Sequence, residues 1–254
     1  MIDGEVTIFI PVKDEVDGLK YLIDDFKKNI STNKKLLNQI SFIFIIDGRT
    51  TDASKSKAIK ILELSDKQNH GNNILNQEDT HGKGAAIRQA IDLWKNSPTP
   101  FVIFLDADGS HSFSDIEPII KKLCEGSDVV SGSRFMRHHS SIQNTEMQSK
   151  NDLTEMGRLH IFGNKLLSKI SSVKNKRKIT DLCTGIWGFT EKALLLLNLE
   201  SEGFDLEAEI AGKCTKNNLL HTEIPILWSP RKGGMSKLRS FRDGFIILLR
   251  IIRT

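Results

Sequence analysis

The stretch "FVIFLDADGSHS", residues 101–112, decides the fold. Five apolar residues run straight into two aspartates one residue apart, Asp106 and Asp108, followed by Gly109. A run that is apolar at every position, rather than at alternate ones, predicts a strand covered on both faces, hence a mostly parallel sheet flanked by helices. Runs of the same kind recur in "VTIFIPV" at 6–12 and "ISFIFIID" at 40–47, and shorter ones in "NNIL" at 72–75 and "SDVVSGS" at 127–133. Amphipathic stretches rich in Lys, Leu and Ile separate them, which is the β-α-β rhythm of an α/β domain. In such sheets ligands bind at the carboxyl ends of the strands. Lys13 to Glu15, Asp47, Asp106 with Asp108, and Ser131 to Arg134 each stand where an apolar run stops, so parallel strands would gather them at one rim.

A cluster of acids repels itself unless a cation sits among them. Two carboxylates spaced by one residue after a strand suit a hard, oxygen-loving ion such as Mg²⁺ or Mn²⁺. The alternative is structural: an Asp-Gly turn that ends the strand, with Asp106 capping locally. "HGKGAAIRQA" at 81–90 sets Lys83 between two glycines at the expected start of a helix, where free N–H groups favour phosphate. It lacks the P-loop spacing and alone reads equally as a glycine-rich turn.

With 254 residues, 39% hydrophobic and 27% charged, the composition is that of an ordinary globular chain and excludes the disordered, fibrous and multispan classes. The three cysteines, Cys124, Cys183 and Cys214, are odd in number and form no CxxC pattern, which argues for a reducing compartment and against a structural zinc. Each is expected as a small core residue. The opening residues show no signal peptide and no stretch reaches the ~20 apolar residues of a membrane span, so a cytoplasmic body is expected. The net charge of +4 is carried largely by the second half, in "VKNKRKI" at 173–179 and beyond Arg231. Few aromatics interleave these cations, which favours phosphate or a membrane surface over nucleic acid.

Residues 136–152 lack apolar period and read as a long loop. Helices are expected over about 155–172, 191–197 and 205–217, with strands near "TGIWGF" and "LLHTEIPI". The last fifteen residues place Phe241, Phe245, Leu248, Leu249 and Ile252 at helical spacing, opposite Arg242, Asp243, Arg250 and Arg253. Such a helix either packs on the core or lies on a membrane, at whose cytoplasmic face the protein would then be peripheral.

The ordered set resembles glycosyltransferase family 2, on the GT-A fold, and within it the polyprenyl-phosphate sugar transferases. The motifs are "IPVKDE", "IIDGRTTDAS", "FLDADGSH", the tetrapeptide Ser131 to Arg134, "GFDLEAEI" and "GGMSKLRSFRDG", and they span nearly the whole chain. The resemblance implies a catalytic domain over 1–238, with nucleotide sugar held by 1–135 and acceptor by 136–238, followed by the amphipathic helix at 239–254. It also implies transfer of a sugar, with inversion, from a nucleoside diphosphate to a polyprenyl (dolichyl) phosphate.

By the same resemblance, Pro11, Lys13 and Glu15 line the nucleoside pocket, Asp47 reads the base edge, and Lys83 and Asp106 bind the nucleotide sugar. Lys13 replaces the family's usual tyrosine and Gly48 its second aspartate. Asp106 and Asp108 hold the metal. Arg134, Arg158, Arg231, Ser236 and Lys237 form the acceptor phosphate site, and Asp205 and Glu207 are acids near the acceptor. Asp52 reads as a helix cap. His111 is either a ligand or a loop residue. Transfer to a hydroxyl acceptor would make Asp205 or Glu207 a base. A nucleotidyltransferase and a noncatalytic nucleotide-sugar-binding module are the other readings.

Overall fold

The computed structural model describes residues 5–31, 33–65, 72–79, 81–136, 158–233 and 240–254. The loop expected at 136–152 is outside them except for Met136, as are Ser236, Lys237 and the side chain of Arg158.

Three all-apolar runs become the centre of a seven-stranded sheet: β1 (Val6–Val12), β2 (Ile40–Asp47) and β4 (Phe101–Leu105). β3 (Asn73–Gln77) lies outside β2, while β5 (Val129–Ser133), β6 (Ile186–Thr190) and β7 (His221–Pro225) extend the other side, in the order β3-β2-β1-β4-β6-β5-β7. All pairings are parallel except those of β6, which runs against both β4 and β5.

Alternate residues of the central strands face opposite layers, as the two-residue pleat requires. Ile8, Ile10, Phe42 and Phe44 pack with α1 (Val16–Asn29) and α5 (Ile116–Cys124). Phe9, Ile43 and Ile45 pack with α4 (Lys83–Trp94) on the other face. Between them in sequence lie the single turn α2 (Lys34–Leu37) and α3 (Ser54–Leu64). Further on come α6 (Arg158–Lys174), α7 (Glu191–Leu197), α8 (Leu206–Lys216) and α9 (Ser240–Arg253).

Asp52 takes the capping role read from the sequence. Its Oδ1 accepts the Ser54 N–H at 2.9 Å, and its Oδ2 accepts the Val16 N–H at 3.1 Å, so one carboxylate serves the first turns of α3 and α1.

One expectation is corrected, and one left open is settled in part. Cys124, placed in the core by its residue type, is exposed at the end of α5, and Cys214 alone of the three is fully buried. In α9 the stripe singled out from spacing is largely turned outward: Phe241 is 83% exposed, Phe245 60% and Ile252 57%. The helix packs instead through Ile247 and Ile251 against Ile179, Leu182, Ala208 and Ala211. Periodicity shows that a face is apolar; which part of it finds a partner depends on α6 and α8.

Candidate active site

Because β1, β2 and β4 are parallel and in register, their carboxyl ends open on one cavity of about 400 Å³. Pro11, Lys13, Glu15, Asp47, Lys83, Asp106, Asp108, Glu207 and Arg231 all line it. Arg134 and Asp205 do not.

At the β4 end, Lys83 is the first residue of α4, after Gly82, whose φ of +107° disfavours a side chain. The Ala85 N–H of that first turn is already donated to the Glu202 carbonyl, so the ammonium itself is the group facing the cavity. Its Nζ lies 2.7 Å from Asp106 Oδ1 and 2.6 Å from Glu207 Oε1. Burial disfavours the ammonium, but the Asp106 and Glu207 carboxylates outweigh it and hold the lysine charged, well above its ordinary range. Burial pushes Glu207 upward despite that partner.

Asp108 is met by a cation from the far end of the chain. Arg231 Nη1 donates to both oxygens of Glu15, at 2.7 and 2.9 Å, and Nη2 lies 3.2 Å from Asp108 Oδ2. The segment carrying Arg231 is strapped over the aspartate turn: Lys232 N–H donates to the Asp108 carbonyl at 3.0 Å, and Ser229 N–H to that of Ser110 at 3.0 Å. Burial opposes ionisation of Asp108, but Arg231 and the Ser110 hydrogen bond prevail and lower its pKa.

At the β2 end the carboxylate is also paired. Asp47 Oδ1 accepts the Arg49 N–H and Nε–H, each at 2.9 Å, and Oδ2 accepts Nη2–H at 2.7 Å. Against the cost of burial, the Arg49 hydrogen bonds hold Asp47 down at about 2. Gly48, where the family has a second aspartate, leaves no room for one, because a Cβ would stand 2.5 Å from the Gln77 carbonyl.

Arg134 is committed elsewhere. Its Nε and Nη2 bond both oxygens of Asp181 at 2.7 Å each, Nη2 also reaches the Cys183 carbonyl, and Asn164 adds a third side-chain donor contact to Asp181. Asp205 accepts from Arg250 of α9 at 2.7 Å and from Ser201 at 3.1 Å.

Gly185, which motif reading left out, and His111, read as either a ligand or a loop residue, stand behind the β4 end. Gly185 precedes β6, whose antiparallel course brings it beside β4, where its carbonyl accepts the Asp106 N–H. Any Cβ there would collide with Asp106 Oδ2 and His111 Nε2, so the glycine is what lets the carboxylate and imidazole approach. His111 is buried and accepts the Gly185 N–H at 3.2 Å, and burial pushes its pKa down to about 4. A single glycine in "TGIWGF" carries no signal without its partner strand.

Among the described residues no group of three or more His, Cys, Asp or Glu side chains forms a complete metal cage. Asp106 and Asp108 nevertheless fit a hard divalent cation of the kind bound by one or two carboxylates together with substrate phosphates and water.

Residues 7–195 match the profile described as glycosyl transferase family 2. Glycosyltransferase AglJ of Haloferax volcanii is 27% identical, over 98% of this chain and 71% of its own. The dolichyl-phosphate beta-glucosyltransferase of Saccharomyces cerevisiae is 24% identical over 92% and 69%. Among solved structures, glucosyl-3-phosphoglycerate synthase of Mycobacterium tuberculosis, crystallised with Mn²⁺, UDP-glucose and phosphoglyceric acid, superposes with a TM-score of 0.60 at 15% identity, covering 98% of this chain and 79% of that one. The strand order is thus that of the GT-A fold. With the profile matching residues 7–195, from β1 through β6, this chain belongs to glycosyl transferase family 2 and is a glycosyltransferase.

Proposed function

We propose that the protein transfers a sugar from a nucleoside diphosphate to a polyprenyl (dolichyl) phosphate, with inversion and with a divalent metal, Mg²⁺ or Mn²⁺. The observation that carries this is Lys83, charged and held between Asp106 and Glu207 beside Asp108 at the strand ends. The nucleoside lies at the β2 end against Pro11, Lys13 and Asp47, and the diphosphate at the β4 end. When bound on Asp106 and Asp108, the metal neutralises charge on the departing diphosphate. Lys83 donates to the same phosphate oxygens, and Glu207 orients its ammonium.

The acids of α8 favour a phosphate acceptor over a hydroxyl. A hydroxyl needs a base, but Glu207 is bonded to Lys83 and Asp205 to Arg250. A phosphate monoester is already largely ionised at neutral pH and needs positioning alone. Arg231 supplies that position from the cavity wall once it leaves Asp108, with Arg158, Ser236 and Lys237 assigned beside it by the family resemblance. Arg134 shapes the site through Asp181 rather than touching the acceptor. Relatives named for dolichyl phosphate support the same acceptor.

Phe241, Phe245 and Ile252 on α9, Phe162 and Leu166 on the adjacent α6, and the exposed Lys165, Lys169, Arg242 and Arg253 fit an anionic membrane surface, where such an acceptor resides. No described helix is long and apolar enough to cross a membrane.

Titration with UDP-glucose and GDP-mannose, with and without Mn²⁺, followed by addition of a short polyprenyl phosphate, tests the reading. Metal-dependent binding of one donor, with nucleoside diphosphate released only when lipid phosphate is present, is the expected result. Release with a glycan hydroxyl instead would replace the acceptor, and donor binding with no release on either acceptor would leave a noncatalytic nucleotide-sugar-binding module.

A further inference from the structure

The loop after β2 carries an arginine that neither the family resemblance nor the donor chemistry above uses. Arg49 is held as few surface arginines are. Its backbone sits in a turn closed by the Thr50 N–H on the Asp47 carbonyl at 2.9 Å, and the Asp47 side chain accepts the Arg49 N–H. The next residue along is pinned to the β1 turn, where Asp14 accepts the Thr51 N–H at 2.8 Å. Gly48 lets the whole loop close onto β3, its N–H donating to the Gln77 carbonyl at 2.7 Å. The guanidinium is then clamped side-on by Asp47 through Nε and Nη2.

Two consequences follow. Asp47 has both oxygens engaged by Arg49, and His81 Nδ1 stands 3.5 Å from Oδ1, so little acceptor capacity remains for an outside ligand. Arg49 is the opposite. Its side chain is half exposed, lines the cavity, and among the described residues its Nη1 makes no hydrogen bond. A rigid donor therefore faces the space between Pro11, Ile45 and Gln77. β2 and β4 are separated by β1 alone, so this space lies two strand spacings, about 10 Å, from the acids of the β4 end. With a diphosphate at Lys83, that is where a base would lie.

We propose that Arg49, clamped by Asp47, reads the base by donating to the oxygen at uracil C4 or guanine C6, where cytosine and adenine carry an amino group instead, so that the donor carries uracil or guanine rather than cytosine or adenine. A single hydrogen bond from the charged Nη1 to that oxygen, against an amino group that cannot accept it, is worth about tenfold or more in discrimination. Asp47 is then a positioning residue that acts through Arg49 instead of touching the base. This rests on the cavity being a nucleoside diphosphate site.

Calorimetric titration of the full chain in Mn²⁺ with UDP, CDP, GDP and ADP, with thio-substituted and ring-N-methylated UDP and GDP, and with pyrophosphate, tests it. The wild type should prefer the keto member of a pair about tenfold or more. It should lose that preference when sulfur, a poor acceptor, replaces the carbonyl oxygen, and keep it when the ring N–H is methylated. In Arg49→Met the difference between oxo and thio nucleotides should vanish while pyrophosphate affinity stays unchanged. Arg49→Lys, which retains the charge opposite Asp47 but not the fork, should lose the preference too, and so separates reading from folding. The assignment is overturned if methylation abolishes binding and sulfur does not, since Asp47 would then read the N–H, or if Arg49→Met keeps the oxo preference. Failure of every nucleotide to bind, with pyrophosphate bound or not, would overturn the nucleoside diphosphate reading itself and Arg49 with it.

Discussion

Arg134 and Arg231 share a sequence-level expectation, an arginine offered to an acceptor phosphate, and the fold makes them opposites. Arg134 meets Asp181 fork to fork in a site where the arginine side chain is 11% exposed and the aspartate not at all. Arg231 divides its guanidinium between Glu15 and Asp108 at the cavity wall and stays 27% exposed. The first pair is buried and closed by Asn164 and the Cys183 carbonyl, so Asp181 has both oxygens engaged and Arg134 spends Nε and Nη2 inside the protein. The second bridges two carboxylates from different strand ends, one of them placed to hold a metal, so any cation arriving there competes with it. Whether an arginine serves structure or substrate is decided by how completely its partners satisfy it.

The comparison breaks first at Asp181. Asp181→Asn leaves the Arg134 guanidinium buried without its counter-charge and should cost about 3–5 kcal/mol in chemical denaturation. A loss under about 1 kcal/mol, with lipid phosphate turnover abolished, would instead make Arg134 a substrate residue. Next is Asp108→Asn, which removes a carboxylate from the expected metal pair. Donor affinity should drop by about tenfold or more in Mn²⁺ and hardly change without it, read by titration, since hydrogen bonds and ligation to charged groups are worth about 1.5–3 kcal/mol.

Arg231→Met sharpens the contrast. Stability should change by about 1 kcal/mol or less, as for partly exposed pairs. Turnover with lipid phosphate should fall at least about tenfold, while Mn²⁺ binding without nucleotide, followed by electron paramagnetic resonance, should tighten because the internal cation is gone. Weaker Mn²⁺ binding would show that Arg231 supports the acids rather than competing for them.

The last test belongs to the same half of the sheet as Arg134. His221 on β7 is buried against Trp187 and shares a 2.8 Å hydrogen bond with Ser131. Burial lowers its pKa to about 4 in the folded protein, against about 6.5 unfolded. The unfolded chain therefore takes up the proton first, and stability should decline as pH falls from about 6.5 to about 4, by up to about 1.4 kcal/mol per unit. His221→Gln should lessen the slope of that part of the stability profile, with His111, held at about 4 by the same burial, supplying what remains, and leave the region above neutrality unchanged.

Much of this was legible in local sequence. The strand positions of β1, β2 and β4, the helix at Glu191–Leu197 and the role of Asp52 all follow from periodicity and neighbouring residues. The direction of β6 was not, because the five residues Ile186–Thr190 read the same whichever way they run, and with it the part played by Gly185 was hidden. Whether α9 would pack on the core or present its apolar stripe outward was also not legible, since the helix has apolar residues enough for both a core contact and a free face.

By itself the sequence determined that an α/β sheet would end in acids and a lysine at one rim, because strand burial and strand ends are properties of a few consecutive residues. Tertiary structure alone decided who neutralises whom. Lys83 meets Glu207 across 124 residues and Arg231 meets Glu15 across 216, and no local pattern encodes a contact whose geometry exists only when distant segments converge.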